Sequence, residues 1–152
     1  MKRSVSKPGD VFSVPLSDGR WGFATLVSRD EFGRLFDVSH VISDEIPESL
    51  TSAETTLDHF FYAYVNGASI QHWRRLGTIT LESVGMLPPR FSGHPSYSWI
   101  VHSPTGDQHL DPNETPESEL IKRGYIPMTL WLARDIEEAI RSKAAPQWKW
   151  PW

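Results

Sequence analysis

Six histidines stand among nineteen carboxylic acids in this chain, and they are its best candidates for acid–base or metal chemistry. They are His40, His59, His72, His94, His102 and His109. Two ligands on one helix face need i, i+4 spacing and two on one strand face need i, i+2; no histidine pair meets either. His102 and His109 flank Asp107, with Asp111 close behind, so a hairpin there would gather a His/Asp set fit for a small enzyme. Solvent-facing histidines are the commoner outcome of such spacing. Serine is abundant enough for a Ser/His/Asp triad, yet no Gly-x-Ser-x-Gly elbow is present. The glycine patterns that cradle phosphates are missing as well. With no cysteine, the chain has no disulfide, thiolate zinc site, iron–sulfur cluster or cysteine nucleophile. No metal, cofactor or catalytic residue is expected.

The remaining polar candidates are acidic. Asp44, Glu45 and Glu48 form one group; Asp107, Asp111 and Glu114, followed by Glu117 and Glu119, form another. Acidic runs are usually solvated faces, but both groups lie in segments that join strands or precede a helix, where binding surfaces concentrate. Arg74-Arg75 reads as a solvated surface pair. Of seven tryptophans, Trp21, Trp73, Trp99 and Trp131 fall inside predicted elements, where a large ring with a polar handle serves packing. Trp148, Trp150 and Trp152 alternate in a proline-containing tail, either as an apolar latch over the domain or as anchors for a partner.

The elements that must position these groups are mostly strands. Phe12, Val14 and Leu16 alternate with other residues at period two, and Pro15 asks for an edge or a bulge because it lacks a ladder N–H. Asp18-Gly19 signals a hairpin turn before a second strand from Trp21 to about Val27. Asp30-Glu31-Phe32-Gly33 makes the next turn, and Leu35 to Ile42 is a third strand, completing an antiparallel meander. After a polar stretch from Ser43 to Asp58, the run from His59 to Val65 has the aromatic density of a central strand. Ile70 to Leu76 is ambiguous between helix and loop, and Gly77 to Leu81 looks like a short strand. Tyr97, Trp99 and Val101 alternate again, with a short return strand at His109 to Asp111.

Helix is predicted only near the end. Thr115 is the expected N-cap, with Pro116 at the first helical position and Gly124 just past the end. Leu132, Ile136, Ala139 and Ile140 form an apolar stripe on a second helix. The fold class is therefore α+β and β-rich: a bent antiparallel sheet or partly open barrel with a C-terminal helix. Phe12, Val14, Phe36 and Phe61 are expected on one buried sheet face.

The 152 residues, 39% hydrophobic and 22% charged, fit one folded domain over 1–152, with a tryptophan-rich tail over 143–152. A net charge of −4 disfavours nucleic acid as a partner. The basic N-terminus lacks an apolar stretch behind it, and no window approaches a membrane span, so the cytoplasm is the expected location and no membrane is involved. The oligomeric state is left open.

One stretch resembles a known family. Lys7-Pro8-Gly9-Asp10-Val11-Phe12-Ser13-Val14-Pro15-Leu16, followed by Asp18-Gly19-Arg20-Trp21-Gly22-Phe23, is similar to the opening of the immunity protein 26 family of bacterial polymorphic-toxin systems. Trp73 with Gly77, and Pro88-Pro89-Arg90-Phe91, look like weaker landmarks of that family. The resemblance implies a small cytoplasmic protein that binds and neutralises a cognate protein toxin without catalysis. Many such toxins act on nucleic acids and are basic, so a basic nuclease is a fitting target for an acidic inhibitor. The stretch from Ser49 to Thr56 and the tryptophan-rich tail depart from the family pattern. A small enzyme with the His/Asp site and a barrel-like peptide-binding module are the alternatives.

Overall fold

The computed structural model describes residues 7–49, 58–81, 87–103 and 105–146. The chain, expected to make a single domain, gathers into two compact units: Met1–Ser83 with Thr129–Trp152, and Val84–Met128. The larger unit holds β1 (Asp10–Pro15), β2 (Trp21–Arg29), β3 (Arg34–Ser39), β4 (His59–Val65) and β5 (Arg74–Thr78). The smaller holds β6 (Arg90–Gly93), β7 (Trp99–Ser103), β8 (Gly106–Leu110), α1 (Glu117–Lys122) and β9 (Ile126–Pro127). The chain then returns to the larger unit as β10 (Leu130–Trp131) and α2 (Ala133–Ser142). The fold is α+β and β-rich, as the sequence reads.

In the larger unit the sheet order is β10-β4-β3-β2-β1-β5. The β1–β2–β3 meander forms on its two expected turns, with Gly19 at φ +85° in the first. Strand β1 is not an edge, because β5 pairs along its other side. That pairing ends at Ser13, so Pro15 has only Trp21 opposite and its missing N–H costs no ladder bond. The start of β1 is set by Gly9 and Asp10. Gly9 sits at φ +101°, and a Cβ there would lie 2.5 Å from the Ile79 carbonyl oxygen. Only glycine fits. The fully buried Asp10 carboxylate accepts hydrogen bonds from the Lys7 amide (2.9 Å) and the Thr78 hydroxyl (2.7 Å).

One face of this sheet packs against α2. Phe12, Val14, Leu26, Phe36, Val38 and Val65 form a cluster with Ala133, Ile136 and Ile140. Phe36 is fully buried, with its ring edge-on to Phe12 at 5.8 Å and to Trp73 at 5.6 Å. Phe61 packs on the cluster but is only partly buried.

The structure moves several expected boundaries. The third strand stops at Ser39 rather than Ile42, and Arg74 already begins β5 inside the ambiguous segment. Tyr97, expected on a strand, is 82% exposed ahead of β7. Thr115 does not cap α1: Pro116 takes that position in extended conformation, and the Thr115 carbonyl accepts the Trp99 indole N–H at 2.8 Å. Leu132 leaves the apolar stripe to Ala133 and stands at the N-cap of α2, where its amide donates to Asp135. Each sheet also holds a short parallel pairing, β10 with β4 and β6 with β9, that no turn signal announces.

Truncating Phe36 to Ala should cost about 3–5 kcal/mol, the usual range for a fully buried aromatic, and Phe61 to Ala clearly less. Urea denaturation of both variants checks the order; equal losses would misplace the core.

Candidate functional site

In the smaller unit, strand alternation separates an apolar face from a polar one. Phe91, Trp99 and Val101 turn to the buried side, with the Phe91 and Trp99 rings edge-on at 5.8 Å. The register places Ser92, His102, Asp107 and His109 on the opposite face. His102 and Asp107 are direct cross-strand partners, so the hairpin does gather the His/Asp pair. Nδ1 of His102 lies 3.0 Å from an Asp107 oxygen, and Nε2 lies 3.1 Å from the Ser92 hydroxyl. The tautomer protonated at Nδ1 satisfies both contacts: Nδ1–H donates to Asp107, and Nε2 accepts from Ser92.

Sequence spacing did not find Ser92, because it reaches His102 through a β6–β7 pairing that no turn motif marks. His109 stands opposite Ile100 and forms no hydrogen bond with His102. The Asp107 side chain is 57% exposed, so this ion pair adds little to stability.

The acidic candidates all reach solvent. Asp107 lies on β8, an edge strand exposed from Gly106 to His109. Asp111 and Glu114 follow in a turn that Asp111 itself fixes, accepting the Asn113 amide on its side chain and the Glu114 amide on its carbonyl. Asp44, Glu45 and Glu48 are exposed in the larger unit. Ser43, ahead of them, is tied to Trp21 by paired backbone bonds. Trp148, Trp150 and Trp152 lie outside the described residues, as does the stretch 50–57. Among the described residues no group of three His, Cys, Asp or Glu side chains could hold a metal.

Two further histidines sit against carboxylates. His59 Nδ1 lies 2.6 Å from Asp37 across β3 and β4, and burial raises the Asp37 pKa above its ordinary 3.8 despite that contact. Tyr62 beside them is raised as well, first by burial and then by the Asp37 charge. His72 and the Trp73 indole share one Glu137 oxygen, at 2.6 and 2.9 Å. These contacts link β3 to β4 and the Trp73 segment to α2, which is architectural work.

The larger unit also carries a cleft of about 280 Å³. Its walls are the β2–β3 turn, the turn after β4, and β10. Asp30 shapes the first wall by accepting the Phe32 and Gly33 amides and the Tyr64 hydroxyl. Asn66 shapes the second through the Ala68 and Ser69 amides. Between them lies Arg34, whose guanidinium presses on Gly67 so closely that a Cβ there would fall 1.8 Å from it. Its Nε is buried without a hydrogen-bond partner. A buried donor left unmet costs about 1–3 kcal/mol, more when charged. Only the bulk of Gly67's hydrogen permits this placement, which nothing in the sequence announces.

No family model, curated protein or solved structure matches the chain.

The raised Asp37 pKa has a pH signature. Native Asp37 holds its proton more tightly than the unfolded chain does, so its contribution is full below 3.8 and is lost as pH rises through the folded value. Urea titrations from about pH 3 to 5.5 should show Asp37→Asn gaining on the unmodified protein as pH rises. A pH-independent difference would remove burial as the cause.

Proposed function

We propose that this chain is a cytoplasmic immunity protein that binds and neutralises a basic protein toxin stoichiometrically, without a reaction of its own. The observation that carries the proposal is the exposed acidic edge formed by β8 and its following turn. Asp107, Asp111 and Glu114 project there from a hairpin and a turn held by backbone hydrogen bonds. Carboxylates fixed in this way present a persistent negative field, which steers encounter with a positive partner. An edge strand also offers unpaired backbone groups to a partner chain. The net charge of −4 acts in the same direction. The similarity of Lys7 to Phe23 to the immunity protein 26 opening supports the class of partner.

A second reading rests on the Ser92–His102–Asp107 row, whose order matches that of a nucleophile, base and orienting acid. The two readings part on one variant. Ser92→Ala leaves protection against the toxin intact if binding suffices. Protection lost while the toxin is still bound would favour a hydrolytic role.

Replacing Asp107, Asp111 and Glu114 together with Lys should slow association at least tenfold at low salt and flatten its salt dependence. Folding stability should move within about 0.5 kcal/mol at Glu114, and by about 0.5–1.5 kcal/mol at Asp111, which loses its bond to the Asn113 amide. Reversing Asp44, Glu45 and Glu48 should do less. Stopped-flow association across a salt series checks this; unchanged on-rates for both triple variants would overturn the acidic-edge interface.

A further inference from the structure

Arg34 poses a problem that the toxin-binding proposal does not solve. It opens β3 directly opposite Arg29, the last residue of β2, so two guanidinium-bearing side chains share one end of the sheet face. Like charges in direct cross-strand register repel. The Arg34 side chain forms no hydrogen bond or ion pair with any described residue, and its Nε is drawn out of solvent. The nearby Asp30 carboxylate is already shared among the Phe32 and Gly33 amides and the Tyr64 hydroxyl.

The cleft around Arg34 has other features of a binding site. Asn66 spends its side-chain oxygen on the Ala68 and Ser69 amides, which leaves its NH₂ group as a neutral donor at the same cleft. Phe32, held edge-on to Tyr64 at 4.7 Å, is 36% exposed and Leu130 is 47% exposed, so the cleft has an apolar side. The volume of about 280 Å³ falls just below the usual range of ligand pockets, roughly 300–1,000 Å³, and so suits a small ligand.

We infer that this cleft binds a singly charged carboxylate carried on a small apolar body. The planar guanidinium fork matches a carboxylate edge. Phe32 and Leu130 would cover the apolar portion, and Asn66 would donate to a carboxylate oxygen. The one unmet guanidinium among the described residues of the lining, that of Arg34, suits a monoanion better than a doubly charged phosphate. Gly67 is a positioning residue, because any side chain there displaces the guanidinium. The inference concerns the larger unit alone and stands apart from the acidic edge of the smaller one.

The test is amide NMR titration of the full chain with 4-methylpentanoate, its neutral carboxamide, N-acetyl-Ala-Leu and inorganic phosphate. Saturable shifts at Gly33, Asn66 and Gly67 are expected with 4-methylpentanoate, and at least tenfold weaker binding of the carboxamide and of phosphate. Tighter binding of N-acetyl-Ala-Leu would identify a peptide C-terminus as the carboxylate's source; weaker binding, a free acid. Arg34→Met and Gly67→Ala should each weaken binding at least tenfold with the remaining spectrum preserved. Arg34→Lys, which keeps the charge without the fork, covers the case in which Arg34→Met fails to fold. Equal affinity for acid and carboxamide, tighter binding of phosphate, or undiminished binding by the Arg34 variant would overturn the proposal, as would the absence of saturable shifts.

Discussion

Trp73 is where the large sheet and helix α2 become one core: its ring meets the edge of Phe36 while its indole N–H is held 2.9 Å from Glu137. A buried indole needs a partner for its single donor, and here that partner comes from the helix. Phe36 passes the contact on to Phe12 in β1, so strands distant in sequence are gathered around one aromatic chain. With α2 seated, Ala133, Ile136 and Ile140 close the same face. Strands β2, β3 and β4 are paired in register, and the turns that follow β2 and β4 form two walls of the Arg34 cleft.

Local patterning made much of this legible. Period-two alternation and the Asp-Gly turn located the meander, and the aromatic run located β4 at its observed bounds, His59–Val65. What failed was what depends on distant partners. Arg74 joins a strand because β1 offers it an edge, not because its own neighbours favour one. The two-residue strands β9 and β10 are too short to carry a period and exist only through pairing. Leu132 fits the helical stripe by spacing, yet the chain enters α2 there in extended conformation and the side chain turns outward. The same logic applies to the sites. His102 and Asp107 were legible because a tight turn separates them; Ser92 and Arg34 were not, since their settings are made by another strand and by the absence of a side chain at Gly67.

The stretch that resembles the immunity protein 26 opening does architectural work in this chain. Gly9 admits a close carbonyl, Asp10 anchors the start of β1, and Asp18 with Arg20 orders the first turn. Residues of that kind identify a scaffold, whereas choice of partner must come from surfaces that the scaffold leaves free. The two surfaces that stand out have opposite character: an acidic edge on the smaller unit and an uncompensated arginine in a cleft of the larger. Under the proposed function, neutralisation by occupancy needs only such complementary surfaces. Neutralisation by occupancy also has a stoichiometric consequence that turnover lacks.

That consequence is the most direct measurement available. Purified chain is titrated into a fixed amount of a protein toxin of the proposed basic class that it binds, and residual toxin activity is followed to its end-point. Stoichiometric neutralisation gives a linear fall that ends at one chain per toxin, with the complex recoverable intact. Complete inactivation by a small fraction of an equivalent, progressing with time, would contradict the account and assign the protein a catalytic role.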